Sequence, residues 1–289
     1  MSAAHSATKA TPDDLTVTPR NIHFETQTAD GRAWLGGDPV GTAVFNALSL
    51  TFPDGERLFM DAVRHYRGEL SGKLLEDAKA FIAQEAIHSR EHVALNSVLD
   101  RSHYPVDEIE DELRRRLTFA RSRGPMAMLA ITIVLEHFTA MMADQLLKGN
   151  TALDGAPEEI IRLWQWHAME ETEHKAVAFD VFQVATRDWS NGQRYRLRAR
   201  VMMIATIMFS TNITRYAAKL LAADGMNIWA ARLRVLRYLF LAPGLFRKSW
   251  TSYWDWFRPG FHPWDHDNRA TIEAWREQFT PDASEASPA

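Results

Sequence analysis

Apolar residues recur three and four positions apart along most of the chain, and no clear strand alternation is visible. This spacing places apolar side chains on one face of a helix, whereas a half-buried strand alternates at period two. The chain is therefore predicted to be all-α. Long helices are expected over 53–70, 74–99, 125–148, 157–186, 193–222 and 227–248, and shorter ones over 106–122 and 268–278.

Turn-forming residues indicate where the first helix begins. The sequence Gly36-Gly37-Asp38-Pro39 indicates a turn, and residues 21–50 look irregular. Pro53 and Asp54 combine a residue favoured in the first helical turn with an acid. The first helix is therefore expected to begin near Pro53.

The composition along the chain predicts four segments. Residues 1–20 are small and polar, and they are expected to be disordered. A helical metal-binding bundle is expected over 21–190. Additional C-terminal helices, basic and rich in aromatic residues, are expected to pack on it over 191–262, followed by a tail over 263–289.

The composition also narrows the chemistry. The 289 residues include no cysteine, which excludes disulfides, iron–sulfur clusters, Cys-ligated zinc and thiol nucleophiles. The N-terminal residues show no apolar core of a secretory signal, and no uninterrupted apolar run of about 18 residues predicts a membrane span. We expect a cytoplasmic location, with a peripheral position at the inner face of the membrane as the alternative.

Two Glu-x-x-His steps and two lone glutamates lie on four of the predicted helices. Residues three apart share a helix face, so each step can present a carboxylate and an imidazole to the same metal ions. One glutamate from each of two helices, with Glu-x-x-His from the other two, is the ligand set of a di-iron four-helix bundle. We therefore predict a ferritin-like bundle with a dinuclear metal site. The predicted metal ligands, which are also the predicted catalytic residues, are Glu56, Glu85, His88, Glu136, Glu171 and His174.

The surroundings of these residues bear on the prediction. Glu136 lies in the middle of a strongly apolar helix, where a charge is costly to bury unless a cation compensates it. Glu56 lies near the expected start of its helix, where a glutamate often only complements the helix dipole. His92 and His167 lie one turn from the predicted ligands, and three roles stay open for them: additional metal ligands, donors that orient the ligands, or core histidines.

Other residues near the predicted ligands are given simpler roles. The glutamates at positions 91, 170 and 173 are expected to be solvated, with Arg90 and Lys175 neutralising them. The apolar lining of the site is expected to include Phe59, Phe81, Leu135 and Met169.

Several segments resemble the bacterial family described as a predicted metal-dependent hydrolase, a ferritin-like four-helix group. The resemblance extends from about Asn46 to Gln183. It is carried by Phe52-Pro53-Asp54-Gly55-Glu56-Arg57, by the segment from Gln84 to His92, by Glu170-Glu171-Thr172-Glu173-His174-Lys175, and downstream by the segment from Phe257 to Pro263. It implies a metal-dependent hydrolase, and the same ligand set also resembles that of di-iron oxygenases and oxidases.

Carboxylate and imidazole ligands without thiolate suit iron or manganese better than a soft metal, so two iron ions are expected, with manganese or zinc as alternatives. The first functional hypothesis is a di-iron oxidoreductase or oxygenase that uses O2 to oxidise a small apolar or amphipathic, lipid-like substrate. An external electron donor is then expected, because no flavin or nicotinamide motif is visible. The second hypothesis is a dinuclear metal-dependent hydrolase, and the third is a non-enzymatic iron- or membrane-binding protein. The oligomeric state is left open.

Positive charge is concentrated toward the C-terminus. Residues 187–258 carry 13 Lys and Arg against three acids, although the whole chain has a net charge of −4. Basic residues with interfacial aromatics over 193–258 suit peripheral contact with an anionic membrane, whereas the simpler interpretation is a helical layer packed on the acidic bundle. Nucleic acid is not an expected partner, because no binding motif accompanies the charge.

Overall fold

The computed structural model of the protein describes residues 10–28, 31–149 and 151–279. Within these ranges every regular element is helical and no strand is present, which confirms the predicted all-α class. The α-helices are α1 (Pro39–Tyr66), α2 (Gly72–Asn96), α3 (Val106–Ser122), α4 (Pro125–Leu147), α5 (Glu158–His174), α6 (Val177–Ala185), α7 (Asn191–Ala223), α8 (Ile228–Phe240), α9 (Trp250–Asp255) and α10 (Arg269–Arg276).

Helix α1 begins well before its predicted start at Pro53. The Asp38 carboxylate accepts a 2.9 Å bond from the backbone N–H of Val40, and Pro39 takes the first helical position. An aspartate cap followed by proline is a favoured helix start, because the proline lacks an N–H that would be unpaired there anyway. The expectation that 21–50 is irregular was therefore wrong beyond residue 38.

Pro53 lies inside α1 instead of starting it. A proline in a helix interior removes the bond to the carbonyl four residues earlier and usually costs about 3 kcal/mol or more. The carbonyl freed here is that of Ser49, and Asn96 Nδ2 of α2 donates a 3.1 Å bond to it. This bond offsets part of the cost, and Glu56 consequently lies in the middle of a long helix, not at its start.

Two later helices are shorter than predicted. A turn at Lys175 and Ala176 divides the helix expected over 157–186 into α5 and α6, so that His174 is the last residue of α5. Helix α8 ends at Phe240, and the separate helix α9 follows.

The buried apolar residues form two clusters, and helices α1, α2 and α4 contribute to both. In α1, Leu48 belongs to one cluster and Leu58 to the other. In α2, the corresponding residues are Leu95 and Phe81. Helix α1 packs along α2 and against α4, α4 packs along α5, and α2 also contacts α5. A layer of buried polar residues lies where α1, α2 and α4 pass from one apolar cluster to the other, beside the C-terminal end of α5.

The outer segments pack on these helices. The disorder expected for residues 1–20 is not found over 10–20, because Leu15, Val17 and Arg20 are buried. Helix α7 packs against α1 and α4, and α8 packs on α7. Helix α10, in the expected tail, contacts α5. The terminal parts of the predicted segments, 1–9 and 280–289, lie outside the described residues.

Helix α4 is long and apolar enough to cross a membrane by length and composition alone. Its most apolar window has a mean hydropathy of 1.7, and 50% of that window is buried inside the protein. The helix packs against α1 and α5 and contributes the buried Glu136, so we describe it as a core helix.

Candidate metal centre

The predicted ligands converge in the polar layer between α1, α2, α4 and α5. Each of these residues is at most 4% exposed. Two groups of three side chains have ligand atoms within 4.8 Å of one another, as metal binding requires. The first group is Glu56, His88 and His167, and the second is Glu85, Glu171 and His174.

Two glutamates lie between two imidazoles. His174 Nε2 is 3.4 Å from Glu85 Oε1 and 3.5 Å from Glu171 Oε2. On the other side, His88 Nδ1 is 3.8 Å from Glu85 Oε2 and 3.7 Å from Glu171 Oε1. Glu136 Oε2 approaches the same centre at 3.3 Å from His174 Nε2. Carboxylates in this position are placed to contact two neighbouring cations.

Eight nitrogen and oxygen atoms of the six predicted ligands are buried without a hydrogen-bond partner. Buried polar atoms are nearly always bonded, so a cluster of such atoms needs an explanation. Four carboxylates carry up to four negative charges, which two divalent cations would neutralise. The residues present therefore fit a dinuclear metal centre. The unpartnered atoms are Glu56 Oε1, Glu85 Oε1 and Oε2, His88 Nδ1, Glu136 Oε1 and Oε2, Glu171 Oε2, and His174 Nε2.

The protonation of these groups reflects burial and mutual repulsion. Burial raises the pKa of Glu56 and of Glu85 well above the ordinary value, and neighbouring carboxylates add to the shift. Burial and Glu171 raise the pKa of Glu136 to about 7. Burial opposes the charge of His174, but Glu171 and Glu136 outweigh it and raise the pKa of His174 to about 10. Metal ions must therefore displace protons from this centre, and their affinity will fall as the pH falls.

The stability of the metal-free protein is expected to fall as the pH rises. Glu136 binds a proton more tightly in the folded state, with a pKa of about 7 against an ordinary value of 4.5. The folded state thus holds more protons in this interval, and the free energy of unfolding falls with rising pH. His174 acts in the same direction between 6.5 and about 10. Burial lowers the pKa of His88 and of His92, and these two groups act in the opposite direction below about pH 6.5. We therefore expect chelator-treated protein to melt at a lower temperature at about pH 8 than at about pH 6.5. A melting temperature that rises over this interval would contradict the assignment.

The outer nitrogens of two imidazoles are held by residues of α2 and α5. His174 Nδ1 donates to Gln84 Oε1 at 2.9 Å. His88 Nε2 donates to Glu170 Oε2 at 3.0 Å. Each ring then carries a proton on its outer nitrogen, which leaves the inner nitrogen, on the side of the carboxylates, as the atom that would bind a metal ion.

A chain of hydrogen bonds orients His167. Asn96 Nδ2 donates to the Ser49 carbonyl, so Asn96 Oδ1 accepts from the Ser49 hydroxyl at 2.7 Å. Ser49 Oγ then accepts from His92 Nδ1 at 2.8 Å, and His92 Nε2 accepts from His167 Nδ1 at 2.6 Å. His167 Nε2 is left to face Glu171 Oε1, 2.9 Å away. Of the roles left open by the sequence, this geometry favours that of a ligand for His167 and that of an orienting residue for His92.

Replacing Ser49 with alanine is expected to weaken metal binding without touching a ligand. The change removes the acceptor that fixes the His92 ring, and His92 in turn orients His167. Loss of a partner bonded directly to a ligand typically costs about 10- to 100-fold in metal affinity, so we expect up to about tenfold for Ser49, which lies one bond further out. Titration calorimetry with Mn²⁺ measures the effect. Thr51→Ala is the matched control, because the Thr51 hydroxyl on the same helix bonds only to the Leu48 carbonyl, at 2.7 Å. Equal affinities for the two variants would contradict the proposed hydrogen-bond chain.

Three glutamates that were expected to be solvated are buried instead. Glu91 is 2% exposed, and Glu170 and Glu173 are 0% exposed. Arg20 of the N-terminal segment lies 3.1 Å from Glu170 and 2.8 Å from Glu173. Arg276 of α10 also bonds to Glu173, at 2.9 Å. These partners are distant in sequence, so helical spacing gave no signal of them.

The two cations expected to neutralise those glutamates have different roles. Arg90 Nε does pair with Glu91, at 2.6 Å. Lys175 does not pair with any of them: it donates to the His266 carbonyl and lies 3.9 Å from the ring centroid of Trp264.

A small apolar cavity of about 50 Å³ borders the centre. Of the four expected lining residues, Phe81 meets the His174 ring edge to face at 4.9 Å. Phe59 lies in the same apolar cluster as Phe81, Leu135 packs against that cluster, and Met169 lies in the other. Only His167 and Glu171 of the centre reach this cavity. Its remaining lining is Phe45, Leu48, Phe52, Thr139, Met142, Ala143, Leu146, Ala152, Trp164, Ala168 and Leu245.

The fold and the site define an all-α protein with a buried, carboxylate- and imidazole-rich candidate centre for two metal ions. A family model described as "Predicted metal-dependent hydrolase" matches residues 18–267, and the chain belongs to this family. The match confirms the family resemblance of the sequence, and it includes every residue of the candidate centre. Neither the curated proteins nor the solved structures gave a match to the chain.

Proposed function

We propose that this chain is a dinuclear metalloenzyme built on a ferritin-like arrangement of α1, α2, α4 and α5. The observation that carries the proposal is the set of eight buried, unpartnered donor atoms on side chains from these four helices. Lone glutamates on two helices and Glu-x-x-His on the other two match the ligand pattern of dinuclear carboxylate bundles.

One ion would be held by Glu56, His88 and His167, and the other by Glu85, Glu171 and His174. Glu136 belongs to neither group but lies beside the second, where it can complete the ligand set or hold a proton. The oxygen-rich, thiolate-free donor set favours iron or manganese, with zinc as the alternative.

We propose metal-dependent hydrolysis as the reaction, which the family description supports. When bound, the two ions would lower the pKa of a water molecule and polarise a substrate carbonyl or phosphoryl oxygen, and iron would also supply electrons for O2 reduction. The sequence has no Gly-x-Ser-x-Gly nucleophile motif, so water is the proposed nucleophile. The apolar cavity that ends at His167 and Glu171 would hold the apolar part of the substrate beside the reacting bond.

O2-dependent oxidation is the second candidate, favoured by a different observation. The small cavity that reaches the centre is apolar, lined by Phe45, Phe52, Met142 and Trp164 among others. An apolar lining of this kind excludes water and would protect a reactive oxidant. This reaction needs an external electron donor.

The two candidates separate in one experiment. Purified protein is loaded in turn with Zn²⁺, Mn²⁺ and Fe²⁺ and assayed without O2 on a panel of p-nitrophenyl acyl and phosphate esters. Anaerobic turnover that Glu85→Gln abolishes is the expected result. O2 consumption that requires Fe²⁺ and an added reductant, without anaerobic turnover, would replace hydrolysis with oxidation. Full metal occupancy with neither activity on any substrate of the panel would contradict the proposal that this site hydrolyses such esters.

A further inference from the structure

Exposed large apolar side chains are concentrated in one part of the described chain. Of fourteen such residues, twelve lie between Tyr195 and Trp254, and the other two are Val93 and Phe119. Single exposed apolar residues are normal on protein surfaces, but a concentration of them marks an interaction site.

Helix α8 carries the clearest outward-facing stripe. Trp229 and Leu233 are each 70% exposed, and Leu236 and Phe240 follow at 42% and 38%. Their spacing of four, three and four residues places them on one face of the helix. The opposite face packs into the core through residues that include Val235.

Helices α7 and α9 extend the exposed apolar surface. Met203, Ile204 and Ile207 of α7 are 51–68% exposed, and Trp250 and Trp254 of α9 are 58% and 51% exposed. We call the exposed apolar residues of α7, α8 and α9 the aromatic–basic face, because arginines and lysines are interleaved with them.

The charge of the three helices that carry this face is mostly positive. Residues 191–255 contain two acids: Asp224, which pairs with Arg32 and His103 at the end of α7, and Asp255 of α9, which pairs with Arg258 and His266. Arg232 lies over the Trp229 ring at 4.7 Å. Long cationic side chains of this kind can lay their stems on apolar surface and keep their charges in the headgroup region of a membrane. The exposed basic residues over this range include Arg200, Arg234, Arg237, Arg247 and Lys248.

A larger cavity of about 330 Å³ opens at this face. Its volume is within the range of small-molecule sites, about 300–1,000 Å³. The exposed Phe240, Trp250 and Trp254 form part of its wall, and Arg247 is its charged residue. The rest of the wall is Phe138, Met141, Met142, Thr206, Phe209, Ser210, Phe246, Ser249 and Tyr253.

We propose that the aromatic–basic face binds an anionic lipid bilayer and that the cavity holds one acyl chain of a bound lipid. Exposed tryptophans with surrounding cations are the composition of an interfacial membrane surface. A second copy of this chain fits the face less well, because a two-fold contact would bring the same arginines together.

The cavity also adjoins the small cavity beside the candidate metal centre. Met142 borders both this cavity and the small cavity that ends at His167 and Glu171. The assignment of an amphipathic lipid as the substrate class follows from this arrangement and rests on the proposed function. Lipid binding itself is measured without turnover, so its failure and the failure of the enzymatic proposal are distinguishable.

Vesicle co-sedimentation tests the face. The full chain is mixed with vesicles of phosphatidylcholine alone or with added phosphatidylglycerol. We expect binding to the anionic vesicles that weakens at high salt, and little binding to phosphatidylcholine alone. No binding to the anionic vesicles would overturn the proposal. A dimer in solution that Leu233→Ser converts to a monomer, without vesicle binding, would show that a second copy covers the face.

The chain offers a matched pair of substitutions for this assay. Leu233→Ser removes an apolar residue from the face and should weaken vesicle binding by about tenfold or more. Phe119→Ser removes a residue of similar exposure, 68% against 70%, that lies outside the face. Equal binding by the two variants would overturn the assignment of the face.

Adjacent positions on α7 test the cavity. Ser210 lines the cavity, whereas Thr211 is exposed beside it. Displacement of a dansyl-labelled long-chain fatty acid is measured for Ser210→Trp and Thr211→Trp, with circular dichroism confirming that each variant is folded. We expect Ser210→Trp to reduce probe affinity by about tenfold or more and Thr211→Trp to leave it unchanged. Equal affinities would overturn the acyl-chain site.

Discussion

Glu85→Gln is expected to abolish the binding of at least one metal ion while leaving the metal-free fold intact. Both oxygens of Glu85 are buried and unpartnered, and they lie near His88 and His174. An amide keeps the shape of the side chain but lacks the anionic oxygen that a hard cation needs. We expect metal affinity to fall by more than about 100-fold, beyond the usual effect of losing an outer partner.

The metal-free stability of this variant gives a second, opposite prediction. Burial and the carboxylates of Glu136 and Glu171 raise the pKa of Glu85, so its ionised form is unfavourable in the metal-free protein. Removing that group should therefore leave the metal-free melting temperature unchanged or higher. Glu76→Gln on the same helix is the control, since Glu76 is 68% exposed and pairs with Lys79. Unchanged metal content in Glu85→Gln would contradict the assigned centre.

Arg20→Met is expected to destabilise the fold strongly. Arg20 is 5% exposed and bonds to Glu170 and Glu173, which are both fully buried. Removing one member of a buried ionic group leaves uncompensated charge and costs about 3–5 kcal/mol. Because Glu170 holds the outer nitrogen of His88, the variant should also bind metal more weakly. Urea unfolding of the metal-free protein measures the first effect, and calorimetric metal titration measures the second.

Arg276→Met is the matched control for this prediction. Arg276 also bonds to Glu173, at 2.9 Å, but its side chain is 34% exposed. Glu173 keeps its two bonds to Arg20 after this change, so its charge stays compensated and the expected loss is about 1 kcal/mol or less. A loss below about 1 kcal/mol for Arg20→Met as well would contradict the structural importance of the buried network.

The sequence predicted the helical class and the side chains of the centre for one physical reason. Ligands on one helix face must follow helical spacing, and a carboxylate such as Glu136 in an apolar helix needs compensation. These two local criteria were enough to predict a site made of residues from four helices. It did not require knowing the start of each helix, which is why Glu56 lies among the converging side chains although the predicted start of α1 was wrong.

The remaining features depend on contacts between distant parts of the chain. Pro53 is tolerated inside α1 because Asn96 of another helix bonds to the freed carbonyl. The buried state of Glu173 depends on Arg20 and Arg276, which come from opposite ends of the chain. Helical spacing carries no information about such pairs. The sequence analysis therefore predicted that Glu173, like Glu91 and Glu170, would be solvated.

The histidines next to the ligands show the same limit. His92 and His167 are each one turn from a predicted ligand, and spacing alone does not separate their roles. The separation comes from Ser49, whose hydroxyl and carbonyl both bond to Asn96 and thereby fix the direction of the hydrogen-bond chain.

Manganese titration followed by electron paramagnetic resonance tests the dinuclear centre most directly. Metal-free protein is titrated with Mn²⁺ at about pH 7.5, where the protons of the centre are displaced readily. The two groups of ligands predict two Mn²⁺ ions per chain, close enough to give an exchange-coupled signal. No tight binding, one ion per chain, or two ions without coupling would contradict the dinuclear centre.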